Sequence, residues 1–210
     1  DVKEKISLFD PKFLEELSKM KEKNLAVEIL KKLLAEQVSV YRRTNLVQSE
    51  KFSEILNNTM SNYFKGLLSN EQVIEELLKM AHQIANAHRE GDKLGLTNEE
   101  LAFYDALTKP AAVKDFYENA ELIAITKELT EALRKNRTID WQKKESARAG
   151  MRIMIKRLLR KHKYPPEGME DAVAIVIGQC ELWTDNADES PYVEYDEQDN
   201  EELMAAEEKK

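Results

Sequence analysis

With one cysteine, Cys180, the 210-residue sequence cannot close an internal disulfide, which excludes the cystine-stapled secreted scaffolds and points to a reducing compartment. Glycine and proline are scarce too, at 6 and 5 residues, too few for the turns of an all-β sandwich or barrel of this length. No apolar run is long enough to cross a bilayer, and the opening Asp1-Val2-Lys3 carries no signal-like apolar stretch. A cytoplasmic protein without a membrane partner is expected. The absence of an initiator Met implies a piece of a longer polypeptide.

What is present favours helices. The chain is 42% hydrophobic and 34% charged, and Leu, Lys, Glu and Ala are abundant. Its net charge of −8 is an average over opposed blocks. Residues 134–163 hold 12 basic side chains against Asp140 and Glu145, whereas residues 185–210 hold 11 acids against Lys209 and Lys210. Without that last block the chain would be close to neutral.

Caps and periodicity divide the chain into helices. Asp10-Pro11 pairs an N-cap acceptor with a proline at the first helical position, opening a helix to about Glu22. From Asn24 an apolar stripe (Ala26, Ile29, Leu30, Leu33, Leu34, Val38, Tyr41) defines a second helix, and Asn45 can cap a third that ends at Gly66. Ser69-Asn70-Glu71-Gln72 and Thr97-Asn98-Glu99-Glu100 both read as capping boxes, the first opening a helix to Gly91 and the second a short one through Leu107. Pro110 can start a helix to about Lys135. Thr138 or Asp140 can cap another from Trp141 to His162, stopped by Tyr164-Pro165-Pro166. The last helix, from Glu167 to about Trp183, is apolar on most sides and should lie deep. The expected architecture is all-α: an irregular bundle of about eight helices over residues 1–184, followed by an acidic, weakly ordered tail over 185–210.

Motifs for known chemistry are missing. There is no phosphate-cradling G-x-x-x-x-G-K-[ST], no G-x-G-x-x-G turn, no G-x-S-x-G elbow and no H-E-x-x-H, so no catalytic, cofactor or metal residue is assigned. His82 reads as a packed or half-exposed structural residue and Cys180 as a small core hydrophobe. Asp10-Pro11-Lys12 and Asp140-Trp141-Gln142-Lys143 match half of a metal-dependent nuclease triad, but both sit at helix starts and are discounted.

The basic helix is the most informative feature. Arg148, Arg152, Lys156 and Arg160 step by four residues into one stripe, with Lys143, Lys144 and Arg157 beside it. Ala147, Met151, Met154, Ile155, Leu158 and Leu159 form the opposite, anchoring stripe. Like charges one turn apart repel, so something must offset them. Three candidates stand open: acids of the same fold including the tail, an acidic surface of a partner subunit, or the phosphates of duplex DNA.

Two blocks of sequence also resemble a known family. Leu94-Gly95-Leu96-Thr97, Glu99, Glu100 and Ala102-Phe103-Tyr104-Asp105-Ala106-Leu107 form one; Asp140-Trp141, Arg148-Ala149, Arg152, Lys156-Arg157-Leu158-Leu159, Tyr164-Pro165-Pro166, Ala172, Val176 and Gln179 form the other. In this order they resemble the C-terminal helical region of the motor and restriction (R) subunit of type I restriction endonucleases. The resemblance implies a non-catalytic assembly module that docks the subunit onto a methyltransferase core of methylation and specificity subunits. It also implies a parent enzyme that translocates and cuts DNA using ATP and Mg²⁺, with no cofactor held by these 210 residues. On this reading the basic stripe, Trp141 and the Tyr164-Pro165-Pro166 turn lie nearest the contact.

Overall fold

The computed structural model describes residues 10–110, 113, 116–137 and 141–185, and these form eight α-helices and no strand. The helices are α1 (Pro11–Lys19), α2 (Lys23–Thr44), α3 (Leu46–Phe64), α4 (Asn70–Leu94), α5 (Asn98–Thr108), α6 (Asn119–Asn136), α7 (Glu145–Lys161) and α8 (Pro166–Asp185). A 3₁₀ turn at Trp141–Lys143 precedes α7. The expected all-α bundle is what forms.

The caps work as their residue types dictate. Asp10 accepts from the Lys12 amide and Asn45 from the Gln48 amide, while Ser69 and Thr97 each complete a reciprocal capping box with Gln72 and Glu100. Asp10 is therefore a cap, and the D-x-K pattern there is a helix start.

Four boundaries differ from the sequence reading. α1 ends at Lys19 rather than Glu22. α4 passes through Gly91 and stops only at Gly95, whose φ of 63° provides the left-handed cap. Gly91 is small for another reason: a Cβ there would lie 3.3 Å from both Leu101 Cδ2 and the Leu96 carbonyl oxygen. The helix expected to run unbroken from Pro110 is interrupted: Val113 is helical, its amide donating to the Pro110 carbonyl at 3.0 Å, but Phe116 to Glu118 are not, and α6 begins at Asn119 with Glu118 extended before it. α7 begins at Glu145 because the 3₁₀ turn takes up Trp141; Thr138 and Asp140 lie outside the described residues, as does the expected tail beyond Asp185.

Two apolar clusters share the bundle. Leu14, Leu30, Leu34, Phe52, Val73, Leu77 and Ile84 belong to one, built from α1–α4; Phe103, Leu107, Leu129, Trp141, Ile155 and Val176 belong to the other, built mainly from α5–α8. Each such side chain, fully removed from water, contributes about 1.5–3 kcal/mol. Between the clusters runs a polar seam. Buried Asp105 of α5 accepts from Asn45 Nδ2 at 2.8 Å and Gln48 Nε2 at 2.9 Å. Gln179 of α8, fully buried, accepts from the Leu46 amide at 2.8 Å and donates to the Thr44 carbonyl at 2.9 Å. That one side chain satisfies an orphan acceptor at the end of α2 and an orphan donor at the start of α3. It therefore ties the last helix to the bend joining the first two long ones.

Candidate interaction surface

α7 is placed by its apolar side. Met151, Ile155, Leu158 and Leu159 are buried, Ala147 and Met154 half-buried, and the helix packs between α6 and α8. Its opposite side is the basic one. At about 100° per residue, Arg152, Lys156, Arg160, Ile153 and Arg157 fall in that order around an arc of roughly 140°.

The stripe is electrostatically divided. Arg148 Nη2 lies 2.6 Å from Glu181 Oε1, a close ion pair without hydrogen-bond alignment, and Lys156 Nζ lies 2.7 Å from Glu170 Oε1. Both acids come from α8, so part of the stripe is offset within the fold. Together with Arg152, Val173 and Ile177, these four charged residues line a shallow groove of about 230 Å³ between α7 and α8. At the foot of α7, Lys161 and His162 both bind Glu128 of α6, each at 2.7 Å. The Lys161 hydrogen bond, then that of His162, holds the Glu128 carboxyl below the usual carboxylate range.

Arg152, Arg157 and Arg160 are different. All are exposed, and none forms an ion pair with a described residue. Among them stands Ile153, 60% exposed, with exposed Ala149 and Gly150 one turn earlier. Lys143 and Lys144 are exposed at the N-terminal end of the helix. Of the seven basic residues singled out from sequence, two are thus paired on α8 and three make an unpaired cluster. Ile153 was missed, although it stands out of phase with the apolar stripe, which is the signal that could have found it.

The aromatic residues expected near a contact are core. Trp141 is 1% exposed, its indole N–H donating to Thr184 Oγ1 at 3.2 Å, and Tyr164 is 2% exposed, its hydroxyl donating to the Leu107 carbonyl at 2.6 Å. Burial of the ring pushes the Tyr164 phenol pKa up. They shape the surface from beneath without reaching it.

Cys180 is buried, and desolvation pushes its thiol up to about 12. His82 is exposed, more so than its place near the apolar stripe implied. Among the described residues no group of three or more His, Cys, Asp or Glu side chains is placed to hold a metal ion, and no helix is long and apolar enough to cross a membrane.

Comparison with known proteins gives this surface a context. Residues 1–186 match the family described as type I restriction enzyme HindI endonuclease subunit-like, C-terminal. Over 176 residues the chain is 40% identical to the type I restriction enzyme HindI endonuclease subunit of Haemophilus influenzae, covering 84% of this chain and 17% of that one. Over 170 residues it is 32% identical to a putative type I restriction enzyme MjaIXP endonuclease subunit of Methanocaldococcus jannaschii, covering 80% and 16%. The chain thus spans about a sixth of the length of these curated relatives. No solved structure matches it. With an all-helical fold and a family match over nearly its whole folded length, the chain belongs to the C-terminal domain family of the HindI-like type I restriction enzyme endonuclease subunits.

Proposed function

We propose that this domain is a non-catalytic assembly module that docks its subunit onto a methyltransferase core of methylation and specificity subunits, using the exposed face of α7. In this reading the nuclease and the ATP- and Mg²⁺-dependent motor activities belong to other parts of a longer subunit. The observation that carries it is the cluster of Arg152, Arg157 and Arg160 around Ile153. A solvated face normally carries mixed charge, and acids do meet Arg148 and Lys156 on the same helix. Three arginines around an exposed aliphatic side chain have the make-up of an interface: an apolar anchor, rimmed by guanidinium groups suited to carboxylates.

Retention of the folded chain by a purified methyltransferase core in a pull-down is the expected result. No retention at micromolar concentration, with the chain helical by circular dichroism, contradicts it. A second reading draws on the same cluster, since arginines without an ion-pair partner among the described residues also suit the backbone of duplex DNA. Three phosphate contacts would give a slope of about −2.7 in log affinity against log salt. A flat salt dependence, or affinity unchanged on converting the three arginines to Gln, rejects that reading.

A further inference from the structure

A cavity of about 420 Å³ opens where the end of α2 meets α4 and the start of α5, and no residue of α7 lines it. Its volume lies in the range of about 300–1,000 Å³ usual for small-molecule sites. Val40, Ala87 and Leu101 give it aliphatic walls. Leu101 closes against α4 because Gly91 leaves room for it there. Tyr41 and His88 add ring surface, with centroids 5.6 Å apart, and Phe52 lies 5.5 Å from Tyr41 within the core. Of these three rings His88 is the one that still reaches solvent.

Among the described residues no charged side chain lines the cavity. Desolvation by the packing around its ring lowers the His88 pKa, so the imidazole is neutral at neutral pH. Asn45 is committed, its Nδ2 donating to Asp105 and its Oδ1 accepting from the Gln48 amide. Thr44 Oγ1 donates to the Val40 carbonyl and can still accept. Asn98 is exposed and carries a donor and an acceptor in one plane. The Tyr41 hydroxyl is buried and has no hydrogen-bond partner among the described residues. Burial, and after it the Asp105 carboxylate, pushes its pKa up, which keeps it a donor. A buried donor of this kind in a cavity wall calls for an acceptor. Phosphates, carboxylates and ammonium groups would find no opposite charge in these walls. A flat, uncharged ring with donors and acceptors along its edge would find a ring to stack on and an amide to pair with.

We propose that this cavity binds a nucleobase, stacked on His88 between the Val40, Ala87 and Leu101 walls, with its edge paired to Asn98 and Thr44 and an acceptor of the ring taking the Tyr41 hydroxyl proton in a hydrogen bond. A free nucleoside and an unpaired base of a nucleic-acid strand share that chemistry. The site is independent of which partner meets α7.

Adenosine is the probe, because its amino group and ring nitrogen match the two points of an asparagine amide. Titrated into the full chain, it should shift the His88 ring and Val40 methyl resonances with a dissociation constant below about 1 mM, while the amides of α7 stay unchanged. Tyr41→Phe keeps the ring and should weaken binding about three- to tenfold, the worth of one neutral hydrogen bond. Val40→Trp, at a position 43% exposed, should abolish it by filling the mouth. Circular dichroism checks that both variants are folded. Adenosine monophosphate and a short oligo(dA) separate the two sources: affinities equal to that of adenosine identify a free nucleoside, and tighter binding of the oligomer, weakened by the same two variants, identifies a strand. No shift at about 5 mM adenosine, shifts confined to other surfaces, or affinity unchanged in either folded variant overturns the proposal.

Discussion

Replacing Gln179 by Leu should cost far more than a change of one polar side chain on a helix would normally imply. Leu has similar bulk, so packing is nearly conserved, but the Thr44 carbonyl and the Leu46 amide lose their partners together. Stranding a buried backbone group costs about 1–3 kcal/mol, and the site is only partly shielded, so about 2–4 kcal/mol is expected for the pair. For a domain of this size 1 kcal/mol corresponds to roughly 2–4 °C, which places the fall in melting temperature at about 4–16 °C. Gln179→Glu separates the two contacts. Its carboxylate can still accept from Leu46 but cannot donate to Thr44, and it brings a charge into a fully buried position. It should therefore be at least as destabilising as Leu. Urea unfolding followed by circular dichroism measures both. A loss below about 0.5 kcal/mol for Leu, within the range of ordinary surface substitutions, would refute the claim that Gln179 fastens α8 to the α2–α3 bend.

Three further outcomes follow from local chemistry. Gly95→Ala should destabilise by about 1–2 kcal/mol in urea unfolding, because the residue sits at φ 63° and no atom lies within 4 Å of the added Cβ, leaving backbone conformation as the only cost. The depressed carboxyl of Glu128 should give stability that is complete above the unfolded value near ~4.3 and is lost as pH falls through the lower folded value; the slope of stability against pH in that acid range should flatten in Glu128→Gln. Native Cys180 should resist a thiol reagent at neutral pH and react fully in denaturing urea; prompt labelling of the native protein would contradict its burial.

Local signals in the sequence were reliable where local physics decides. The N-caps at Asp10, Asn45, Ser69 and Thr97 all formed as their side chains require, and the apolar stripe of α7 is buried as its spacing demands. Gly91 misled because glycine both ends helices and permits close packing, and only the approach of Leu101 and the Leu96 carbonyl shows which role it has. The polar seam was invisible for a different reason. Asp105 lies 57–60 residues from Gln48 and Asn45, and Gln179 lies 133–135 residues from Leu46 and Thr44, so no periodicity could join them. On the basic helix the stripe was legible but its division was not. Which cations are free depends on where α8 places Glu170 and Glu181, and that is a property of packing. Trp141 and Tyr164 show the converse: conspicuous in the sequence beside the basic block, they are fixed in the core by burial and by bonds to Thr184 and Leu107.

The exposed cluster on α7 is best tested by comparing the native chain with its Arg152→Gln/Arg157→Gln/Arg160→Gln variant for binding to the purified methyltransferase core by titration calorimetry. All three side chains are exposed and have no ion-pair partner among the described residues, so the variant should keep its urea midpoint. Affinity should fall by at least about tenfold, equivalent to 1.4 kcal/mol shared among the three contacts. Equal affinity of the two proteins, both folded, would show that this face is not where the domain meets its partner.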